Sequence, residues 1–498
     1  MIPLLTNAQN HLEHNCVRFE EEVFTYSDLL SRSHTIASFL LNGQSNLNGA
    51  RIAYLVNPGF DYVSIQWGIW RAGGIAVPLC VKHPVPSLSY VLNDTTASHV
   101  VFSADFKTTI QELKTLHKDI PMAQVANLRA ELCELPELHL DEDALILYTS
   151  GTTGNPKGVV LSHSNLNAQI TALIEAWKWS KKDVILNVLP LHHIHGIVNA
   201  MLCPLYIGAE VVFVDRFTPK NVFSAFLSGQ INLFMAVPTI YYKLISFFEE
   251  LASKEQEDIR TVLKHFRLMI SGSAALPVSV LEKWKKISSH TLLERYGMTE
   301  IGMAISNPYN GERRPGHIGQ PLPGVSVKIV QENGEEVVPG AQGEILVKGK
   351  TVFSRYWNKE EATSKGFTQD GWFKTGDMAV FDKGYFRILG RNSVDIIKSG
   401  GYKISALEIE EVLRKYQGIN ECAVVGIPND EWGELIAASL ILEKETEIDL
   451  KALDNWLRSR IPSYKLPRHY IFQEDLPRNV LGKVTKNVLK KIIKDQIK

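Results

Sequence analysis

Residues 148–159, YTSGTTGNPKGV, concentrate groups that bind anions. Four serine or threonine hydroxyls and three glycines lie here: Thr149, Ser150, Thr152, Thr153, Gly151, Gly154 and Gly158. Glycines let backbone N–H groups converge on an anion, and Lys157 adds a mobile positive charge. The stretch is not a Walker A loop, G-x-x-x-x-G-K-[ST], because Pro156 and not glycine precedes Lys157, and Gly158 and not serine or threonine follows it. The pattern predicts a phosphate-binding loop, and a flexible surface turn is the simpler alternative.

Three further polar residues are candidates for charge chemistry. Glu300 in YGMTE, taken alone, is a carboxylate that could cap a helix. Asp377 after WFKTG, taken alone, is an ordinary turn or N-cap aspartate. Lys483 in VLGKV lies near several tail lysines, and taken alone it is a solvated charge. Each residue is ambiguous by itself.

Three histidines, His192, His193 and His195, lie within four residues of PLHHIHG at 190–196. A metal site is the tempting interpretation, but no partner cluster of ligands with suitable spacing occurs elsewhere in the sequence. The sequence therefore disfavours a metal at this place. It leaves His192 and His195 as core or pocket-lining residues.

The stretch at 148–159 closely resembles the phosphate loop of the acyl-adenylate-forming superfamily, which includes acyl-CoA synthetases, peptide-synthetase adenylation domains and luciferases. Other motifs of that family follow in the expected order: PLHHIHG at 190–196, SGSAALP at 271–277, RYGMTE at 295–300, WFKTGD at 372–377, GRNSVDIIKSGGYKIS at 390–405 and PRNVLGKV at 477–484. The resemblance implies a reaction in two steps. A carboxylate attacks the α-phosphate of ATP to give acyl-AMP and pyrophosphate, and the thiol of CoA then attacks the acyl-AMP.

The resemblance also implies which residues handle ATP. The loop at 149–157 holds the β- and γ-phosphates, with Thr153 and Lys157 among the catalytic residues. Glu300 is implied as the Mg²⁺ ligand and is also counted as catalytic. The other implied nucleotide contacts are Ser273 and Ala274, Tyr296 stacked on adenine, Thr299 at the α-phosphate, and Asp377 and Arg391 at the ribose.

Lys483 matches the family's catalytic lysine, which balances charge as carboxylate and α-phosphate are brought together in the first step. It lies on a small C-terminal domain that rotates between the two steps in members of the family. The resemblance then places Gly400 and Gly401 in the thiol channel, where the absence of a Cβ suits close approach of the pantetheine arm. Ser393 is the expected hinge, although many relatives carry aspartate or lysine there. His193 is expected to gate the path between acyl pocket and thiol channel.

Arg295 bears on which acid is bound. Family members frequently have a small, uncharged residue before Tyr-Gly, whereas this chain has Glu294-Arg295-Tyr296 followed by Gly297, where the strand is expected to break. The implied fold puts this stretch in the acyl-pocket wall, so an arginine there predicts binding of a second substrate carboxylate. The alternative is a structural arginine paired to Glu294. ERYGMTE followed by RRPGHIGQPLPGV resembles malonyl-CoA synthetases in particular.

The expected substrates are therefore a carboxylic acid, malonate above all, together with ATP and CoA. Three alternatives stay open: a ligase for fatty or aryl monocarboxylic acids, an adenylating enzyme that loads a carrier protein, and an inactive scaffold. The sequence disfavours the scaffold because the four polar residues that such a protein would be expected to lose are present: Glu300, Asp377, Arg391 and Lys483. A fused carrier is disfavoured because no carrier-type serine site follows position 483.

These residues need a scaffold of alternating strands and helices. Apolar strand-like runs occur at 51–56, 99–103, 144–150, 209–214 and 233–238, with amphipathic stretches between them. Such alternation predicts α/β layers with largely parallel sheets. We expect a large N-terminal domain over 1–391, with two layered α/β subdomains and a small β-rich part at about 324–391. A small, mobile α+β domain over 392–498 carries the catalytic lysine.

Composition limits the other possibilities. The 498 residues include 53 basic and 54 acidic side chains, a net charge of −1, which excludes a global attraction to nucleic acid or an anionic membrane. The five cysteines are widely spaced and are expected to be reduced thiols. Neither a secretory signal pattern nor an apolar run of membrane-spanning length occurs. We expect a cytoplasmic monomer or weak homodimer.

Overall fold

The computed structural model describes residues 2–149, 156–479 and 482–497. Within these ranges the first sheet has nine strands: β1 (Asn15–Phe19), β2 (Glu22–Thr25), β9 (Val184–Asn187), β10 (Glu210–Phe213), β11 (Leu233–Ala236), β12 (Leu268–Ser271), β13 (Leu293–Met298), β14 (Gly302–Ser306) and β15 (Gln320–Pro321). Their spatial order is β15-β14-β13-β12-β11-β9-β10-β1-β2. The strands from β1 across to β13 pair in parallel, and β2, β14 and β15 form antiparallel edges.

The second sheet has seven strands in the same described ranges: β3 (Arg51–Leu55), β4 (Ile75–Pro78), β5 (His99–Phe102), β6 (Met122–Gln124), β7 (Asp143–Thr149), β8 (Lys157–Ser162) and β18 (Arg355–Tyr356). Their order is β18-β8-β7-β4-β3-β5-β6, parallel from β7 to β6 and antiparallel at β8 and β18. The five strands predicted from apolar runs are β3, β5, β7, β10 and β11. Their observed ends differ from the predicted ends by two residues at most.

Helices connect and cover these sheets. They are α1 (Pro3–Ala8), α2 (Tyr26–Leu41), α3 (Phe60–Arg71), α4 (Val85–Thr95), α5 (Lys107–Leu116), α6 (His163–Trp177), α7 (Cys203–Ile207), α8 (Pro219–Leu227), α9 (Pro238–Glu249), α10 (Ser253–Leu263) and α11 (Val278–Ser288). Helix α6 begins where it does because Ser162 and Asn165 cap it reciprocally, each side chain accepting the other's backbone N–H at 3.1 and 2.9 Å. A π-helix over His195–Leu202 precedes α7.

The largest core cluster lies between the two sheets. Its biggest fully buried side chains include Trp67 and Trp70 of α3 and Trp177 at the end of α6. The indole of Trp70 donates to the carbonyl of Ala144 at 2.6 Å, and that of Trp177 donates to Ser306 Oγ at 3.0 Å. Buried indoles that find acceptors fix the helices against both sheets. The strand ends that carry polar residues are therefore held in a rigid frame.

Two smaller sheets complete the described chain. One is antiparallel, in the order β16 (Val325–Val330), β17 (Gln342–Gly349), β19 (Phe373–Asp382) and β20 (Tyr385–Arg391), with α12 (Glu360–Gly366) beside it. The other contains β21 (Ile396–Ser399), β22 (Tyr402–Ser405), β23 (Ile419–Asn429), β24 (Gly433–Leu442) and β25 (His469–Phe472), with helices α13 (Ala406–Leu413), α14 (Leu450–Arg458) and α15 (Lys486–Ile497). None of the helices that the structure describes is long and apolar enough to cross a membrane.

The predicted α/β fold, with a large N-terminal and a small C-terminal domain, is confirmed. The boundaries at 391 and 392 stay predictions. The predicted break at Gly297 is wrong, because β13 runs on to Met298 and the ladder with β14 only shifts register between Tyr296 and Gly297. A Cβ at Gly297 would lie 2.2 Å from the carbonyl oxygen of Gly302, so the glycine permits the irregular pairing.

A buried charge cluster anchors the C-terminal helix to the turn after β20. Lys486, 7% exposed, forms ion pairs of 2.7 Å with both Asp395 and Glu410. Burial alone would lower the pKa of Lys486, but Glu410 and Asp395 hold it above its usual value. The other Asp395 oxygen accepts the backbone N–H of Arg391 at 3.0 Å. The lysine thus joins α15, α13 and the turn into one unit.

Replacing Lys486 with methionine is expected to destabilise the protein strongly, because Asp395 would stay buried without its cation and Glu410 would keep only its pair with Arg414 at 3.3 Å. Removal of one partner from a buried ion pair costs roughly 3–5 kcal/mol. Equilibrium denaturant unfolding checks the loss. Lys491→Met, at an exposed position of the same helix, is the matched control and is expected to change little. Equal midpoints for the two variants would contradict the anchoring role.

Candidate active site

One cleft brings together most of the residues that the sequence singles out. It lies between the ends of the first and second sheets, the sheet formed by β16, β17, β19 and β20, and the C-terminal part of the chain. The predicted site residues that line it are Thr149, Lys157, His193, Ser273, Ala274, Arg295, Tyr296, Thr299, Glu300, Asp377, Arg391, Ser393 and Lys483. Gly400 and Gly401 do not line it. Ser150, Gly151, Thr152, Thr153 and Gly154 lie outside the described residues.

The two ends of the predicted phosphate loop are held by an antiparallel strand pair. Thr149 ends β7 and faces Lys157 at the start of β8, and its hydroxyl lies 3.5 Å from the Lys157 carbonyl. The Lys157 ammonium lies 4.9 Å from the centroid of the Tyr356 ring. That cation–π contact keeps the charge at the mouth of the loop without neutralising it.

Glu300 is buried beside these groups. Its Oε1 accepts the hydroxyl proton of Tyr356 at 2.9 Å. Burial raises the pKa of Glu300, while Tyr356 and the charges of Arg391 and Lys157 oppose the rise. In the part of the chain that the structure describes, no group of three or more His, Cys, Asp or Glu side chains could hold a metal. A single carboxylate fits Mg²⁺, which usually keeps several waters and takes substrate phosphates as further ligands.

Asp377 and Arg391 face each other across β19 and β20. Asp377 Oδ1 accepts from Arg391 Nε at 3.1 Å, and its Oδ2 accepts from the Tyr296 hydroxyl at 2.6 Å. Arg391 also donates to the Thr375 carbonyl at 3.1 Å. Burial and the Asp377 carboxylate raise the pKa of Tyr296 well above its usual value, so its hydroxyl stays a donor. The arrangement presents an oriented, charged acceptor to the cleft.

Arg295 is a buried cation whose contacts are incomplete. It is 3% exposed, and burial lowers its pKa to about 9. One terminal nitrogen donates to Ser273 Oγ at 3.3 Å, while Nε is buried and has no hydrogen-bond partner among the described residues. The structural alternative of a pair with Glu294 is not observed, since Glu294 Oε1 accepts the Gly316 N–H at 3.0 Å. Neighbouring residues of a strand point to opposite faces.

The backbone around the guanidinium is adapted to it. A Cβ at Gly272 would lie 2.4 Å from Arg295 Cζ, so only glycine lets the guanidinium pack against that stretch of chain. The next residue, Ser273, has φ of +70°, a left-handed conformation that costs free energy in non-glycine residues. Both features hold polar groups at the cleft wall, and strain of this kind clusters at functional sites.

The histidines of PLHHIHG are uncharged. Burial lowers the pKa of His192 to about 2 and that of His193 to about 4. The two rings lie 4.0 Å apart, and the ring of His83 lies 6.0 Å from that of His192. His193 lines the cleft, which accords with a gate but does not test that role. Nothing in the sequence pattern indicated His83, which comes from a different loop.

Lys483 is exposed and faces the cleft from a tight turn. Its N–H bonds to Asn479 Oδ1 at 3.0 Å, and its carbonyl accepts the Asn479 N–H at 2.9 Å. Gly482 has φ of +76°, and a Cβ there would lie 3.0 Å from Thr239 Oγ1 of α9. The turn therefore packs closely on the N-terminal part of the chain.

Gly400 and Gly401 form the two-residue turn between β21 and β22. Their φ values of +56° and +81° suit glycine. Ser393, the predicted hinge, is exposed in the turn between β20 and β21. In this structure Lys483 lines the cleft, whereas the turn of Gly400 and Gly401 does not.

The AMP-binding enzyme family matches residues 4–357, and the C-terminal domain of AMP-binding enzymes matches residues 408–483. This chain belongs to the AMP-binding enzyme family. The mitochondrial malonate–CoA ligase ACSF3 of Homo sapiens is 44% identical to it over 93% of this chain and 87% of the relative. This family member is an AMP-forming acid–CoA ligase, as the sequence predicts.

Two solved structures from this family have the same fold as this AMP-binding enzyme. The ATP-bound MatB of Rhodopseudomonas palustris superposes with a TM-score of 0.91 at 32% identity, over 100% of both chains. The o-succinylbenzoate–CoA synthetase MenE of Bacillus subtilis, solved with ATP and magnesium ion, gives 0.84 at 27% identity, over 98% of this chain and 99% of that one.

Burial raises the pKa of Glu294 to about 8 from an ordinary 4.5. The folded protein therefore keeps a proton that the unfolded chain releases, so stability falls as pH rises from about 4.5 to about 8. Glu294→Gln is expected to flatten this fall by up to about 1.4 kcal/mol per pH unit. Chemical unfolding across that range measures it, with the exposed Glu250→Gln as control. Parallel curves for wild type and Glu294→Gln would contradict a buried, protonated Glu294.

Proposed function

We propose that this AMP-binding enzyme activates malonate and joins it to CoA. The observation that carries the proposal is Arg295, a buried guanidinium in the cleft wall with an unpaired Nε. A buried cation is costly unless an anion pairs with it. The second carboxylate of malonate supplies that anion. The malonate–CoA ligase name of the human relative supports the same substrate.

The proposed reaction has two steps. One carboxylate oxygen of malonate attacks the α-phosphorus of ATP, and the bond from that phosphorus to the pyrophosphate oxygen breaks. The thiolate of CoA then attacks the carbonyl carbon of malonyl-AMP, and AMP leaves with the electron pair of the broken C–O bond. Positioning and electrostatic compensation supply most of the acceleration in reactions of this kind.

Each cleft residue has a proposed part in the first step. Lys157 and the loop before it hold the β- and γ-phosphates, and Thr299 donates to the α-phosphate. Asp377 and Arg391 hold the ribose while Tyr296 stacks on adenine, with Ser273 and Ala274 beside the nucleotide. Glu300 holds Mg²⁺, which supplies charge neutralisation at the phosphates when bound.

Lys483 is proposed to compensate the two approaching anions from the C-terminal side. For the second step, rotation about Ser393 brings Gly400 and Gly401 to the cleft as the walls of the thiol channel, with His193 at its entrance. The cytoplasmic location and a monomeric or weakly dimeric state stay predictions. A buried, unpaired guanidinium disfavours fatty and aryl monocarboxylic acids, since such a substrate leaves the cation without an anion.

Arg295→Leu is expected to raise KM for malonate steeply and to narrow the preference for malonate over butyrate. A site built around a polar partner rejects an analogue without that group by roughly 10⁴-fold. We expect Arg295→Leu to lose most of this discrimination between malonate and butyrate. Pyrophosphate release with a panel of acids measures it. Arg295→Lys is expected to be impaired too, because lysine lacks the two-pronged contact. The proposal is wrong if the wild-type enzyme has the same kcat/KM for octanoate as for malonate.

Lys483→Ala is expected to slow adenylation by roughly 10²–10³-fold, the usual cost of losing one electrostatic stabiliser. Thioester formation from pre-made malonyl-AMP and CoA is expected to change far less. The rates of malonyl-AMP formation and of thioester formation, measured separately for wild type and Lys483→Ala, check that Lys483 acts in the first step. Lys491→Ala, in the same basic tail, is the control. Equal losses in both half-reactions would show that Lys483 does not act selectively in the first step.

A further inference from the structure

His195 lies against the same part of the cleft as Arg295. It is the first residue of the π-helix, 4% exposed, and it borders the cleft. Its Nδ1 lies 3.3 Å from Ser273 Oγ, the hydroxyl that also accepts from Arg295. Its Nε2 is buried and has no hydrogen-bond partner among the described residues. Short π-helical segments occur frequently at functional sites.

The hydrogen bonds indicate which ring nitrogen carries the proton. A guanidinium can only donate, so Ser273 Oγ accepts from Arg295. The single proton of that hydroxyl needs an acceptor, and within the described ranges His195 Nδ1 is the one in reach. Nδ1 is therefore an acceptor, and in a neutral ring Nε2 then carries the hydrogen.

His195 stays neutral under ordinary conditions. Burial, the positive charge of Arg295 and neighbouring His193 lower its pKa well below the usual value. A neutral ring with a protonated Nε2 leaves one buried N–H donor without an acceptor. Such a group costs free energy unless a ligand satisfies it.

Arg295 Nε and His195 Nε2 are thus both buried and unpaired among the described residues that line the cleft, and the Ser273 hydroxyl links the two side chains. We propose that His195 is a specificity residue whose Nε2–H donates to the second carboxylate of malonate beside Arg295. Ser273 is the positioning residue, since it orients both side chains. This inference rests on the proposed malonate activity.

The surrounding backbone fixes the position of His195. A Cβ at Gly196 would lie 2.5 Å from the carbonyl oxygen of Pro190, and the Gly196 carbonyl accepts from Asn187 Nδ2 at 3.1 Å. The start of the π-helix is therefore packed tightly onto the preceding turn. A fixed imidazole discriminates between ligands better than a mobile one, because the contact needs no reordering on binding.

The test compares two substitutions that keep different halves of the imidazole. Asparagine places an amide near Nδ1 and keeps the contact with Ser273, but it has no donor at the place of Nε2. Glutamine places its amide nearer to Nε2. We expect His195→Asn to lower kcat/KM for malonate by roughly tenfold to hundredfold, the worth of one hydrogen bond to a charged group. His195→Gln is expected to keep more of the malonate activity than His195→Asn.

Butyrate, which lacks the second carboxylate, is measured beside malonate for every variant. If His195 acts on the second carboxylate, the malonate-to-butyrate ratio of kcat/KM falls in His195→Asn and recovers in part in His195→Gln. His265→Asn, at an exposed position, controls for the substitution itself. Thermal unfolding of each variant checks that it is folded.

The outcomes separate the two claims. Wild type without a preference for malonate would overturn the proposed function. Wild type that prefers malonate, together with equal losses on both acids in His195→Asn and His195→Gln, would show that His195 is structural and would overturn the inference alone. An unchanged malonate kcat/KM in His195→Asn would overturn it as well.

Discussion

Bringing a carboxylate to the phosphates of ATP brings two anions together, and compensation of that charge is the constraint on which the architecture depends. The net charge of the chain is −1, so the whole molecule offers no attraction to either anion. Positive groups must instead be placed locally. Lys157, Arg295, Arg391 and Lys483 come from distant parts of the sequence, and the fold brings all four to one cleft.

The scaffold solves this problem by ending its strands at the cleft. Lys157 begins β8, Arg295 lies within β13, and Arg391 ends β20. Rigid strands packed on buried tryptophans place these charges more accurately than mobile loops do. Lys483 is the exception, because it lies in a turn after β25, and that turn is held by a glycine against α9.

Much of this was predictable from the sequence. Apolar runs located five of the strands (β3, β5, β7, β10 and β11) within two residues, and the ordered motifs identified the family and its acid–CoA ligase activity. The contacts that set the chemistry were not predictable, because they join residues far apart in the chain. Tyr356 bonds Glu300 from 56 positions away, and Ser273 links His195 to Arg295. The continuation of β13 through Gly297 also escaped prediction, since the irregular pairing depends on the close approach of β14.

The placement of Lys483 and the Gly400–Gly401 turn has a kinetic consequence. Both belong to the C-terminal part of the chain, where Lys486 fastens α15 to α13 and to the turn after β20. When the lysine faces the cleft, the glycine turn does not. Under the proposed mechanism Lys483 and the Gly400–Gly401 turn occupy the cleft entrance alternately, one in each step. The entrance is then closed by one of them while malonyl-AMP, a mixed anhydride that water can hydrolyse, is bound, and it opens only to the thiol of CoA.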